Sequence, residues 1–142
     1  MSTVRRTALT AYKTQLEAVS FVQTVVIRNH PIELMEYAKA DLPLVVLQVP
    51  DSTPDLLPGM QFRDEALIKL EVYFLNWAES EQIHDSYFEQ ILEGTDFVLS
   101  PEAVLDFMNN GKYQVIEDVE YPLDGFRINL YLRINAGGIS DI

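Results

Sequence analysis

His30 and His84 are the two imidazoles of this 142-residue chain. Histidine is the first side chain to weigh for metal ligation or proton transfer near neutral pH. The two are far apart in sequence and show none of the ligand spacings of a zinc site. His30 precedes Pro31 in a predicted loop, and His84 falls on the predicted polar side of an acidic helix. His84-Asp85 reads as a base with its orienting acid, but no serine elbow or lysine is placed by spacing as its nucleophile, and the sequence holds no cysteine. Asp51, Asp55 and Asp64 share one segment without the glycine and terminal glutamate of a calcium loop. The six glycines are scattered, so no phosphate cradle is predicted. Trp77 and the tyrosine-rich stretches read as core or sheet packing rather than as a platform for stacked bases. The expectation is a chain with no catalytic, cofactor-binding or metal-binding residue, and no enzyme.

The elements that would position such residues come from periodicity. Leu9, Tyr12, Leu16 and Val19 recur at three- and four-residue spacing and predict a helix from Thr7 to about Ser20. Residues 21–27 suit helix or strand equally, and Pro31 could open a short helix that stops at Asp41-Leu42-Pro43. Leu44–Val49, apolar on both faces, predicts a central strand. Pro50, Pro54 and Pro58 exclude a helix or central strand over 51–64, leaving a long loop that carries Leu56, Leu57, Met60 and Phe62. Glu65–Trp77 alternates as a second strand. Ser80 is placed to cap a helix ending at Gly94, and Ser100-Pro101-Glu102 is a start signal for another, ending at Asn110-Gly111. Lys112–Tyr121 and Phe126–Ile134 alternate around Pro122-Leu123-Asp124-Gly125 as a hairpin. Across it Glu117, Asp118 and Glu120 would meet Arg127 and Arg133. The pattern predicts one α+β domain over 1–142: a four-stranded, mainly antiparallel sheet with helices packed on one face, and a flexible tail over 135–142.

Charge narrows the function classes. Ten basic and 22 acidic residues give −12, of which residues 1–69 carry −1 and residues 70–142 carry −11. No basic residue stands between Lys69 and Lys112. Affinity for nucleic acid comes mainly from cations on phosphates, so this chain is a poor candidate for gripping DNA or RNA, or an anionic membrane. No run of the sequence approaches the length of apolar chain that a membrane helix requires. Assembly is the class that remains. An open sheet offers unpaired edges, and the segment 51–64 offers apolar side chains to a neighbour.

Over roughly residues 7–134 the order of elements resembles the tail terminator proteins of long-tailed bacteriophages, of the minor tail protein U type. The likeness rests on Asp41-Leu42-Pro43 leading into Leu44–Val49, on the long loop before Leu70-Glu71-Val72-Tyr73-Phe74-Leu75, on the predicted helices ending at Asn110-Gly111-Lys112-Tyr113, and on the hairpin across Asp124-Gly125. The resemblance implies a structural virion protein, assembled in the host cytoplasm. It would form a hexameric ring that caps the tail tube at its head-proximal end, stops its polymerisation and offers a joining surface. Its implied partners are further copies of itself, the tail tube protein, and a neck or head-completion protein, with DNA passing the channel unbound and no membrane or cofactor involved. In such a ring Leu56, Leu57, Met60 and Phe62 are the candidates for the subunit interface. Glu89, Glu93, Glu117 and Glu120 are the acids expected to face the lumen and repel passing DNA. The rival reading is an acidic DNA mimic or inhibitor that occupies a basic partner.

Overall fold

The computed structural model describes residues 3–28, 41–49, 55–57, 61–100, 103–107, 112–117 and 119–136. The helix α1 (Thr3–Glu17) buries Ala8, Tyr12 and Leu16, one turn apart on a single face. Strand β1 (Thr24–Arg28) follows, built on Val25, Val26 and Ile27, whose branched Cβ atoms favour extended backbone. It runs parallel to β2 (Leu44–Gln48), with Thr24 opposite Leu44 and Arg28 opposite Gln48. The predicted short helix over 31–40 lies outside the described residues.

The double-sided apolar pattern of β2 has a direct cause. Val45 and Leu47 enter the main core, while Leu44 and Val46 enter a smaller cluster on the other face with Tyr73. Ile116, Val119 and Leu123 cover that second cluster.

The long strands β4 (Gln61–Leu75) and β8 (Leu123–Ala136) pair antiparallel from Phe62 opposite Ala136 to Leu75 opposite Leu123. At about 3.4 Å per residue this ribbon is on the order of 45 Å long. Before β4 in the chain, β3 (Asp55–Leu57) pairs with the start of β4 and turns part of the predicted loop 51–64 into strand, with Leu56 opposite Phe62. Helix α2 (Gln82–Glu93) is followed by β5 (Val98–Ser100), β6 (Ala103–Phe107) and β7 (Gln114–Val115). The sheet order is β1-β2-β4-β8-β6-β5, with β3 added to β4 and β7 to β8.

This overturns the four-stranded antiparallel sheet. The architecture is a larger, mixed and curled sheet with one parallel pair, and α1 and α2 are the helices among the described residues. Two misassigned segments account for the difference. Ser100-Pro101-Glu102 was expected to open a helix, yet β5 and β6 pair antiparallel around it. Ala103 and Leu105 alternate into the core along β8, with Leu105 opposite Leu132. The ladder position beside β8 outweighs the local capping signal. The expected hairpin of 112–121 with 126–134 shrinks to Gln114 and Val115 opposite Arg127 and Phe126. The inward row of β8, Phe126, Ile128, Leu130 and Leu132, instead lies opposite Val72, Leu70, Ile68 and Ala66 of β4. Such a row buries most completely beside another apolar row, which the acid-rich segment 117–120 does not supply. The predicted ion pairs move accordingly: Arg127 meets Glu71 at 2.9 Å and Arg133 meets Asp106 at 2.9 Å.

Gly125 stands opposite Tyr73 in the ribbon. A Cβ there would sit 2.8 Å from the Val72 carbonyl oxygen, which is backbone and cannot rotate aside. Gly125→Ala should therefore spread β4 from β8 and cost about 1–3 kcal/mol, the usual range for overpacking, read as a lower denaturant midpoint. An unchanged midpoint would show that the ribbon has slack at this point.

Candidate functional site

The ends of β4 and β8 are tied together by one amide. Asn76, 3% exposed, donates from its backbone N–H to the Pro122 carbonyl at 2.7 Å. Its side-chain Nδ2 donates to the Ser80 carbonyl and to Asp124 Oδ2, each at 3.0 Å. Its Oδ1 accepts from the Ser80 N–H at 3.1 Å. Ser80 therefore shapes the approach to α2 through its backbone, and the N-cap position belongs to Glu81, which makes no side-chain cap bond. Glu79 takes φ 52° in this turn, a conformation uncommon outside glycine.

Against this knot lies His84. It is 6% exposed, so the expected polar-side position is corrected: the imidazole is sealed among Phe74, Tyr113 and Phe126. Its carboxylate is Asp124 rather than Asp85, with Nε2 2.9 Å from Oδ2 but off the axis of a good hydrogen bond. Asp85 instead accepts a hydrogen bond from the Tyr113 hydroxyl. That phenol is pushed up to about 12 by desolvation, with the Asp85 carboxylate adding to it. His84 and Asp124 together make an internal polar contact that joins α2 to β8.

Burial by itself would raise the Asp124 carboxyl, but hydrogen bonds from Asn76 and the Gly125 N–H, with the His84 imidazole close beside it, bring it below its ordinary 3.8. A carboxyl lowered on folding adds stability that is fully present above the unfolded value and lost as pH falls through the folded one. The loss should therefore come below about pH 4. Asp124→Asn should flatten the dependence of the denaturation midpoint on pH in that window. A mutant curve that stays parallel to the parent's would mean another group governs it.

The outer wall of this corner is a cleft of about 290 Å³ lined by Glu79, Glu81, His84, Val115, Tyr121 and Asp124, among others. Beside it Trp77 is 61% exposed and Tyr121 is 59% exposed. Trp77 is thus neither core nor sheet packing, contrary to expectation. The two rings meet edge to face, 5.8 Å apart at 87°, and the Tyr121 hydroxyl donates to the Trp77 carbonyl at 3.2 Å. Composition alone conceals this pair, because the fold brings together a residue just past β4 and one just before β8.

The other expected site residues fall elsewhere. The side chains of Leu56, Leu57 and Phe62, and all of Met60, lie outside the described residues. Glu89 and Glu93 are exposed on α2, whereas Glu117 and Glu120 are exposed on the segment between β7 and β8, so the four acids occupy two separate elements. His30 also lies outside the described residues. Among the described residues no group of three His, Asp or Glu side chains is gathered as a metal site, and no helix is long and apolar enough to cross a membrane.

Apolar side chains also mark the sheet margins. On β5 and β6 the paired Val98 and Val104 are 60% and 36% exposed, and on β1 Ile27 is 39% exposed. Neither β1 nor β5 has a second partner strand among the described residues.

The sequence matches no family model and no curated protein. Among solved structures, it is similar to a chain in the virion of a native gene transfer agent particle. The two superpose with a TM-score of 0.57 at 13% identity, over 89% of this chain and 93% of that one. The likeness establishes a shared fold over most of both chains.

Proposed function

We propose that this chain is a structural protein of a phage-like virion. In this reading copies of it form a ring, six-membered by the family resemblance, that closes the tail tube, ends its polymerisation and gives the neck or head its joining surface. DNA passes the ring without specific contact, and the protein performs no catalysis. The observation that carries the reading is the fold shared with a virion chain across nearly the full length of each. The sheet margins are in keeping with it. Val98 beside Val104 on one margin and Ile27 on the other place apolar surface at the two ends of the strand order. A head-to-tail contact between unlike margins closes into a ring when its rotation permits. Leu56, Leu57, Met60 and Phe62 are retained as candidates for contact with a neighbour.

Six protomers at −12 bring 6 × (−12) = −72 charges together, so apolar contact must outweigh repulsion. Salt shortens the Debye length from about 10 Å at 0.1 M to about 3 Å at 1 M. Ring formation should therefore strengthen as salt rises, measured by size-exclusion chromatography with light scattering and by negative-stain images. Val98→Lys should leave a folded protomer that no longer assembles, since the side chain it replaces is largely in solvent. A parent protein that stays monomeric at high concentration and high salt would overturn the ring, as would an oligomer that dissociates when salt is added.

A further inference from the structure

Trp77 and Tyr121 make an exposed aromatic corner that the ring does not account for. Burying a tryptophan is the ordinary outcome for so large an apolar side chain, yet this one stays 61% exposed on the folded protomer. The corner is fixed in advance. Tyr121 donates to the Trp77 carbonyl, the rings stand perpendicular, and the flanking backbone is tied by Asn76 to Pro122. A rigid surface loses little conformational freedom on binding.

Acids gather beside this corner. Glu79 and Glu81 line the adjoining cleft, and Glu117 and Glu120 are exposed on the neighbouring segment. No Lys or Arg occurs from residue 70 to 111 or from 113 to 126. Aromatic faces beside exposed carboxylates suit a cation that is flat, permanently charged and weakly hydrated. Guanidinium meets that description better than ammonium, because it stacks on the ring while its N–H groups reach the acids.

We propose that this corner docks an arginine-bearing segment of a partner protein, with a guanidinium against Trp77 and Tyr121 and its charge met by Glu79 and Glu81. The site does not depend on the ring, since every named residue belongs to one protomer.

Trp77 is the chain's one tryptophan, so its emission reports on the site directly. The full chain is titrated in 150 mM NaCl with a blocked tetra-arginine peptide and, in parallel, with tetra-lysine. A saturable change in emission is expected, with tetra-lysine about ten-fold weaker because it cannot stack. By calorimetry Trp77→Ala should bind tetra-arginine about ten-fold more weakly than the parent, and Glu79→Gln with Glu81→Gln about five-fold more weakly. Circular dichroism confirms that each variant is folded. Equal binding of the two peptides, with Trp77→Ala unaffected, would reduce the effect to adsorption on an acidic surface and overturn the proposal. Absence of saturable binding would overturn it too. Loss of self-association in Trp77→Ala would assign the corner to a second copy of this chain and likewise reject it. A failed ring with intact arginine binding would reject the ring alone.

Discussion

Arg127→Ala should cost about 3 kcal/mol of stability at neutral pH, the low end of the range for breaking a buried ion pair because the guanidinium is about a third exposed. The reason lies in what remains behind. Glu71 is 4% exposed, and its Oε2 accepts from Arg127 Nε at 3.2 Å, Arg127 Nη2 at 2.9 Å and the Tyr73 hydroxyl at 3.1 Å. Without the arginine, one phenol is left facing a buried carboxylate. The Tyr73 hydroxyl is itself raised well above its ordinary value, first by burial and then by Glu71, so it stays protonated as a donor. The double replacement Glu71→Leu with Arg127→Met should return to within about 1 kcal/mol of the parent, because no stranded charge remains. Urea denaturation of the parent, Glu71→Leu, Arg127→Met and the double variant forms a complete cycle, with Arg127→Ala measured beside it. If Arg127→Ala alone costs less than about 0.5 kcal/mol, as an exposed pair would, the site is solvated and the ribbon does not depend on it.

Phe126→Ala should be at least as damaging, at about 3–5 kcal/mol. Phe126 is fully buried and meets Tyr113, Phe74 and His84 at ring-centre distances of 5.3, 6.3 and 6.3 Å. Its removal opens a cavity against the imidazole and takes an apolar rung from the inner face of β8. At about 2–4 °C per kcal/mol for a domain of this size, the midpoint should fall by on the order of 10 °C. Trp77→Ala removes a larger side chain but should change stability by less than about 0.5 kcal/mol, as is usual for surface positions. Comparable losses at the two positions would contradict the burial assigned to them. This contrast separates a residue that holds the fold from one left available for contact.

Local pattern was a good guide to faces and a poor guide to partners. Tyr12 and Leu16 on α1, the two-sided apolar run of β2 and the stop at Gly94 were all legible, because each depends on spacing or on a neighbouring residue. The inward rows of β4 and β8 were legible as alternation. Their pairing was not, since it joins Val72 to Phe126 across more than fifty residues of sequence while an acid-rich alternating segment lay much closer. His84 was misplaced for a related reason: Asp85 is adjacent in sequence, but the carboxylate that the imidazole meets comes from the start of β8. Trp77 shows the limit from the other side. Residue type sets the advantage of burial, but the turn after β4 decides that this ring is left in solvent.

The β4–β8 ribbon has a mechanical consequence. Its rungs join two long strands over fourteen paired positions, from Phe62 opposite Ala136 to Leu75 opposite Leu123. Tension applied along those strands loads the backbone hydrogen bonds side by side, in shear, rather than one after another as in a zipper. A protomer pulled lengthwise would therefore resist as a beam, and yield first in the shorter strands along its flanks.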